Sequence, residues 1–190
     1  MPSLRCSDMF ASVAVAAWVL AVGGSGGVEG APRYVDGFVG FKVPSGPHAL
    51  KAIQSRVGDG LSFTGEGCAG DVCLCYQLRS GGLLVLEFGT DEFLNGVEVL
   101  SASEREGLPA VCPVARGASG RTERGVALGA PSAVVSRTYG PPQKMARLDG
   151  VVEWSWDTEH ARCPAVSMSY ELRVRARHGR VTRVRIYDGP

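Results

Sequence analysis

The chain has 190 residues, a formal net charge of +1 and 45% apolar residues. This composition excludes a disordered, collagen-like or coiled-coil protein, and the balanced charge excludes a strongly basic nucleic-acid-binding protein. At the N-terminus, Arg5 precedes an apolar run from Met9 to Val22, and small residues follow at 23–27. The run is shorter than the roughly 20 residues that span a bilayer. We therefore predict a secretory signal peptide over residues 1–27 and an exported mature chain, periplasmic or secreted, without a membrane span.

The first half of the mature chain has the pattern of one helix followed by three strands. Residues 45–47 (Ser-Gly-Pro) open a stretch that carries Leu50, Ile53 and Val57 at helical spacing and ends at Gly58. Strand-like runs, separated by turn-forming residues, follow at 72–78, 83–88 and 96–101. This order predicts a short helix packed on an antiparallel meander.

The second half repeats the same order. Pro131 opens a short helix, and Gly140 stops it. Three strand-like runs follow at 151–157, 166–177 and 181–187. Trp154 and Trp156 alternate on one face of the first run, so we expect both to pack in the core against this helix.

The repeated order of elements indicates an internal duplication. A linker rich in proline and glycine, at 107–124, separates a first unit at 28–106 from a second at 125–190. The predicted fold class is α+β, with two tandem repeats. Each repeat is a short helix packed on a three- to four-stranded antiparallel meander sheet.

The second unit also carries a recurrent pattern of small and aromatic residues. Its parts are Gly-x-x-Leu-Gly at 125–129, Gly-Pro-Pro at 140–142, Trp-Ser-Trp at 154–156 and Gly-Arg-Val-x-x-Val at 179–184. This pattern resembles the BamE-like and β-lactamase-inhibitor-protein-like modules of exported bacterial proteins. One departure is Pro131, which stands where the motif has a helix-capping serine. The resemblance implies tandem modules and a non-enzymatic binding function.

Five cysteines remain after signal removal, and in an exported protein they are expected to form disulfides. Cys73 and Cys75 lie on the same side of one strand, so they do not suit a bond with each other. We favour a bond between Cys75 and Cys112, which ties the linker to the first sheet, and a bond between Cys68 and Cys73. Cys163 is then left as a free thiol. A zinc site at the first three cysteines is the rival interpretation, but their spacing departs from the usual pairs, so we predict no metal.

The last hairpin places arginines against arginines. Its first strand alternates apolar and polar residues, and a turn at 178–180 sets the pairing of the two strands. In this register Arg173 lies opposite Arg185 and Arg175 lies opposite Arg183. Like charges directly opposite each other destabilise a sheet, so these arginines need compensating charge.

Three sources of compensation are open. Glu153 and Asp157, on the preceding strand, suit surface salt bridges with the arginines. The first half can also cover them, since residues 63–110 hold eight acidic residues against two arginines. In the third interpretation the face docks an acidic partner or a polyanion. The binding residues of that face are Arg173, Arg175, Arg177, Arg183 and Arg185.

No catalytic motif is evident. Glycine-rich phosphate loops, metalloprotease motifs and nucleophile elbows are all missing from the sequence. We therefore predict no catalytic residues, no cofactor, and a non-catalytic exported protein that binds a protein partner or envelope component through exposed sheet faces and loops. The alternative is a small secreted hydrolase or thiol-redox enzyme that uses His48, His160, His178 or Cys163.

Overall fold

A computed structural model describes residues 48–163 and 166–189, with the backbone alone at 91, 158–163, 166–170 and 189. The predicted signal peptide, the residues at 45–47 and the side chains of His160 and Cys163 lie outside this description. The helices are α1 (Ala49–Val57) and α2 (Ser132–Tyr139), with 3-10 turns at Thr90–Glu92 and Ala102–Glu104. The strands are β1 (Leu61–Phe63), β2 (Val72–Gln77), β3 (Leu83–Phe88), β4 (Leu94–Leu100), β5 (Lys144–Leu148), β6 (Val151–Cys163), β7 (Val166–Arg177) and β8 (Arg180–Gly189).

The strands form one antiparallel sheet of eight strands in the order β1-β2-β3-β4-β8-β7-β6-β5. The prediction of two tandem helix-on-sheet repeats is therefore wrong. In that prediction β4 and β8 are the outer edges of two separate sheets. In the structure they pair with each other, from Gly96 opposite Tyr187 to Leu100 opposite Arg183. Pairing satisfies backbone groups that two edge strands would leave open.

Both helices cover the same face of the sheet. Ala49, Ile53 and Val57 of α1 and Val135 and Tyr139 of α2 are buried in one apolar core with the sheet. The sheet contributes alternate residues of its strands, among them Leu74, Tyr76, Leu84, Leu86, Val97, Val99, Trp154, Trp156, Leu172, Val174, Val184 and Ile186. The opposite face carries a second, smaller apolar cluster over β2–β4 and polar residues over β6–β8.

The two tryptophans occupy the core positions that we expected. Trp154 and Trp156 are buried, and the Trp156 ring centroid lies 5.3 Å from that of Tyr139 on α2. The indole N–H of Trp156 donates to the carbonyl oxygen of Pro141 at 3.1 Å. A buried indole needs such a partner, so the contact fixes the end of α2 on the sheet.

The start of α2 is held by the sheet rather than by a side-chain cap. Pro131 precedes the helix and makes no capping side-chain hydrogen bond. Instead, the backbone N–H of Ser132 donates to the carbonyl oxygen of Gly179, in the β7–β8 turn, at 2.9 Å. This bond replaces the missing cap by satisfying one of the free N–H groups at the helix start.

The predicted linker at 107–124 is packed onto the first four strands. The N–H of Ala115 donates to the carbonyl oxygen of Gln77 at 2.9 Å, and Val114 forms a parallel bridge with Gln77. The N–H of Arg116 bonds the carbonyl oxygen of Val57, at the end of α1, at 2.9 Å. The boundaries at 28–106, 107–124 and 125–190 stay predictions.

Candidate functional site

The face of the sheet opposite the helices changes character from one end to the other. Over β2–β4 it is apolar and carries a buried cluster of Cys73, Cys75, Leu83, Val85, Leu100 and Cys112. Over β8, β7 and β6 the corresponding positions are arginine, glutamate, aspartate, serine and one tyrosine, Tyr187, whose ring centroid lies 4.7 Å from the Arg185 guanidinium carbon. We call this polar part, from Glu87 and Glu98 across to Lys144 on β5, the charged face.

Two disulfides stabilise the apolar cluster over β2–β4. Cys68 is bonded to Cys73, and Cys75 is bonded to Cys112, which are the pairs that we favoured. These thiols are therefore engaged as disulfides rather than as zinc ligands. Disulfides persist in oxidising surroundings, so the protein belongs to an oxidising, non-cytoplasmic compartment.

The arginines meet in the predicted register. Arg173 lies opposite Arg185 and Arg175 lies opposite Arg183 on the paired strands β7 and β8. Arg175 also lies opposite Glu153 on β6. The four arginines form a two-by-two arrangement on the charged face, which we call the arginine quartet.

Two members of the quartet are paired with buried carboxylates of the first half. Arg183 Nε contacts Glu98 Oε1, and Arg185 Nη2 lies 2.8 Å from Glu87 Oε2. The side chains of both glutamates are only 2% exposed. These pairs join β3 and β4 to β8, so the acidic first half compensates arginines within the molecule.

Arg175 is held by two carboxylates. Its Nε and Nη2 donate to Glu153 Oε2 at 2.9 and 2.8 Å, and its Nη1 donates to Glu104 Oε2 at 3.0 Å. The other oxygen of Glu104 accepts from the Thr182 hydroxyl at 3.1 Å. Glu104 follows β4 in a 3-10 turn, so it fixes this turn over β8. The geometry is that of charge-assisted hydrogen bonds.

Arg173 lies at the outer side of the quartet. Its Nε is 2.7 Å from Glu171 Oε1, and its side chain is 50% exposed. Asp157, which we expected to compensate arginines, instead pairs with Lys144 at 3.1 Å. Arg177, the fifth predicted binding residue, is exposed next to the β7–β8 turn.

The charges of this site affect each other's ionisation. Burial raises the pKa of Glu87, and the nearby Arg185 offsets only part of that effect. The hydrogen bond to Glu98 raises the pKa of Arg183. Burial opposes the charged form of Arg175, but its bonds to Glu153 and Glu104 outweigh burial and raise the pKa. The raised pKa values of Arg175 and Arg183 favour their positively charged forms.

Glycine at position 96 is needed for one of these pairs. Glu87 lies on β3 and Arg185 on β8, and the carboxylate passes over Gly96 on the intervening strand β4. A Cβ at position 96 would lie 2.6 Å from Glu87 Oε2 and 3.0 Å from its carboxyl carbon. The carboxylate can cross the strand only because position 96 has no side chain.

Replacing Gly96 with alanine is expected to destabilise the protein by about 1–3 kcal/mol, the usual cost of overpacking a buried site. The φ of Gly96 is not in the left-handed region, so alanine would otherwise suit this strand position. Urea denaturation measures the change. In a Glu87→Ala background the same substitution should cost less, and an equal cost in both backgrounds would contradict the crossing carboxylate.

The quartet surrounds a small cavity. A space of about 90 Å³ is lined by the four arginines and Glu153. Next to it, a shallow groove of about 290 Å³ runs over the short side chains of Ala146 and Ser155, flanked by Lys144 and Arg173. The charged face thus offers both a small polar cavity and an open groove.

The residues of the catalytic alternative are not brought together where they are described. His48 is exposed, with its Nδ1 3.7 Å from Glu92 Oε2. His178 is exposed in the β7–β8 turn. The alternative of a hydrolase or thiol-redox enzyme stays a prediction.

Sequence reasoning did not single out the glutamates that hold the quartet. Glu87, Glu98 and Glu104 were counted among the eight acidic residues at 63–110 that could cover the arginines, but none of the three was assigned to an arginine. The signal was available, because Glu98 alternates with the apolar residues Val97 and Val99 and therefore shares the face opposite them. An acidic residue on a strand face needs a partner, and the surplus arginines of the last hairpin supply it.

The site belongs to a disulfide-bonded sheet protein with two helices on one face and a charged network on the other. No protein-family model, curated protein or solved structure matches the chain. Across the described residues, none of the helices has the length and apolar character needed to cross a membrane. The resemblance to BamE-like and inhibitor-like modules stays a prediction based on its motif.

Proposed function

We propose that this chain is a periplasmic or secreted non-catalytic protein that binds an acidic segment of a protein partner through the charged face. The observation that carries the proposal is the arginine quartet, which lies on the face that the helices leave uncovered. Guanidinium groups suit carboxylates because their planar N–H donors match both oxygens.

The ion pairs of the quartet support binding because they fix the arginines before a partner arrives. Arg175 is held by Glu153 and Glu104, and Arg183 is held by Glu98. A free arginine side chain loses rotamer freedom on binding, and this entropy loss weakens the complex. In the quartet much of that ordering has already occurred in the folded protein.

The interleaved glutamates favour an acidic protein segment over a long polyanion. A polyanion gains affinity from an extended field of positive charge. Here Glu153 and Glu171 lie beside Arg175 and Arg173 on the same face, so a long, evenly charged chain that crosses the face would meet carboxylates as well as guanidinium groups. A short acidic peptide does not have to cross them. A protein segment can place one or two carboxylates at the arginines and other side chains elsewhere.

Reversing the charge of Arg173 and Arg177 together is expected to weaken binding of a hexaglutamate peptide by about tenfold, equal to roughly 1.4 kcal/mol. Both arginines are exposed and neither holds a buried carboxylate, so the double variant should fold. Fluorescence anisotropy with a labelled peptide measures the affinity across a salt series, in which wild-type binding should weaken as salt rises.

The matched control is Lys51→Glu with Arg137→Glu. These residues are exposed on α1 and α2, so the variant has the same charge change on the helices that cover the other face. Its affinity should stay close to that of the wild type. Equal losses in both variants would mean that only net charge matters, and tighter binding of a heparin fragment than of the peptide would favour the polyanion.

A further inference from the structure

The cavity inside the arginine quartet has the size and lining of a binding site for one oxyanion, and we call this site the seat. Its volume of about 90 Å³ is several times the roughly 10–15 Å³ that one water molecule requires. Four of its five lining residues are arginines. The carboxylates that neutralise three of them, Glu87, Glu98 and Glu171, do not line the cavity.

The quartet has hydrogen-bond donors to spare. Each guanidinium group carries five N–H donors. Arg173, Arg183 and Arg185 each use a single nitrogen in their ion pairs. The Nε of Arg185 is buried and has no hydrogen-bond partner among the described residues. Because this Nε has almost no accessible surface, a ligand in the cavity would bond the Nη nitrogens that the ion pairs leave unused, among them both Nη groups of Arg173 and the Nη1 of Arg185.

We infer that this cavity binds a single carboxylate, supplied by an aspartate or glutamate of the acidic partner segment, as an acceptor for Arg185 and Arg173. The inference rests on the proposed function and names the anchor of that interaction. A carboxylate is planar and accepts paired hydrogen bonds from a guanidinium group, as Glu153 already does from Arg175. The cavity adds no covalent chemistry.

Nuclear magnetic resonance of the arginine Nε–Hε groups tests this carboxylate site in the wild-type protein. Titration with the hexaglutamate peptide should shift the Nε–Hε signals of Arg185 and Arg173 to saturation. The signal of Arg137, exposed on α2, should not move. Acetate should shift the same two signals more weakly, because it offers the carboxylate without the rest of the segment.

The titration distinguishes an error in the assigned carboxylate site from an error in the proposed function. If the peptide binds and Arg173→Glu/Arg177→Glu weakens it while the Arg185 signal stays still, the seat is wrong and the function stands. If acetate saturates the Arg185 signal but the peptide does not bind, the seat stands and the proposed function is wrong. If only inorganic phosphate shifts the signal, the assignment to a carboxylate is overturned.

A conservative variant provides a second readout. Arg185→Lys keeps a positive charge for Glu87 but removes the Nε donor and the planar group. We expect hexaglutamate to bind about tenfold more weakly to this variant, with its unfolding midpoint close to that of the wild type. Unchanged affinity in the folded variant would overturn the role of Arg185. If the variant does not fold, the titration of the wild type decides.

Discussion

Replacing Arg183 with methionine is expected to lower the free energy of unfolding by about 3–5 kcal/mol. Its partner Glu98 has a side chain that is 2% exposed, so the variant would keep a buried carboxylate without its cation. An unpaired buried charge is far more costly than the loss of an exposed ion pair. Urea denaturation of the protein, followed by circular dichroism, measures the difference.

Two controls separate burial from charge. Arg173→Met removes an arginine whose partner Glu171 is 22% exposed, and it should cost less than about 1 kcal/mol. The double variant Arg183→Met/Glu98→Leu removes both charges and should recover most of the lost stability. A cost below about 1 kcal/mol for Arg183→Met, or no recovery in the double variant, would contradict the buried pair.

Removing the Cys75–Cys112 disulfide with alanines at both positions is expected to lower the free energy of unfolding by about 4 kcal/mol. The bond joins cysteines 37 residues apart, so it restricts a long loop of the unfolded chain. It also fastens the segment after β4 over the apolar cluster that lies beside the charged face. Chemical denaturation of the oxidised variant and wild type measures the effect.

The second disulfide is the matched control. Cys68 and Cys73 are only 5 residues apart, and removing their bond should cost about 2 kcal/mol because a short loop loses less entropy when it is closed. The loss from removing Cys75–Cys112 should therefore exceed the loss from removing Cys68–Cys73. A larger loss from the shorter loop would contradict the entropic account and would indicate that contacts of Cys68 in the native state dominate.

Local patterns in the sequence predicted the elements well. Alternation over 166–177 and the turn at 178–180 gave the register of β7 and β8, because side-chain period and turn length together determine pairing in a hairpin. The disulfide pairs followed from the same reasoning, since Cys73 and Cys75 face one side of β2 and need partners outside it.

Long-range pairing was the part that local patterns could not determine. Alternation identifies a strand and its two faces, but not its neighbour in the sheet. β4 pairs with β8 through residues that are far apart in sequence, among them Glu98 and Arg183, which form an ion pair across the two strands. In each half the order of helix and strands is that of a complete small module. The tandem-repeat prediction therefore assigned the strands to two separate sheets, whereas the protein has one.

Two short edge strands were also missed. β1 has three residues, and all five residues of β5 are exposed, so neither shows the burial pattern of a half-buried strand. β5 contains Lys144 and Arg147, charged residues of the kind that protect sheet edges. Their sequences resemble loops because solvent, rather than a core, surrounds most of their side chains.

The central claim, that the charged face binds the acidic segment, is tested most directly by amine cross-linking. Lys51 and Lys144 are the only lysines in the described part of the chain, one on α1 over the helical face and one on the charged face beside Arg173. An amine-reactive cross-linker joins them to the N-terminal amine of bound hexaglutamate, and mass spectrometry counts the products. The account predicts that Lys144 products predominate over Lys51 products, and that Arg173→Glu/Arg177→Glu abolishes this preference. Predominant cross-linking at Lys51 would contradict the claim.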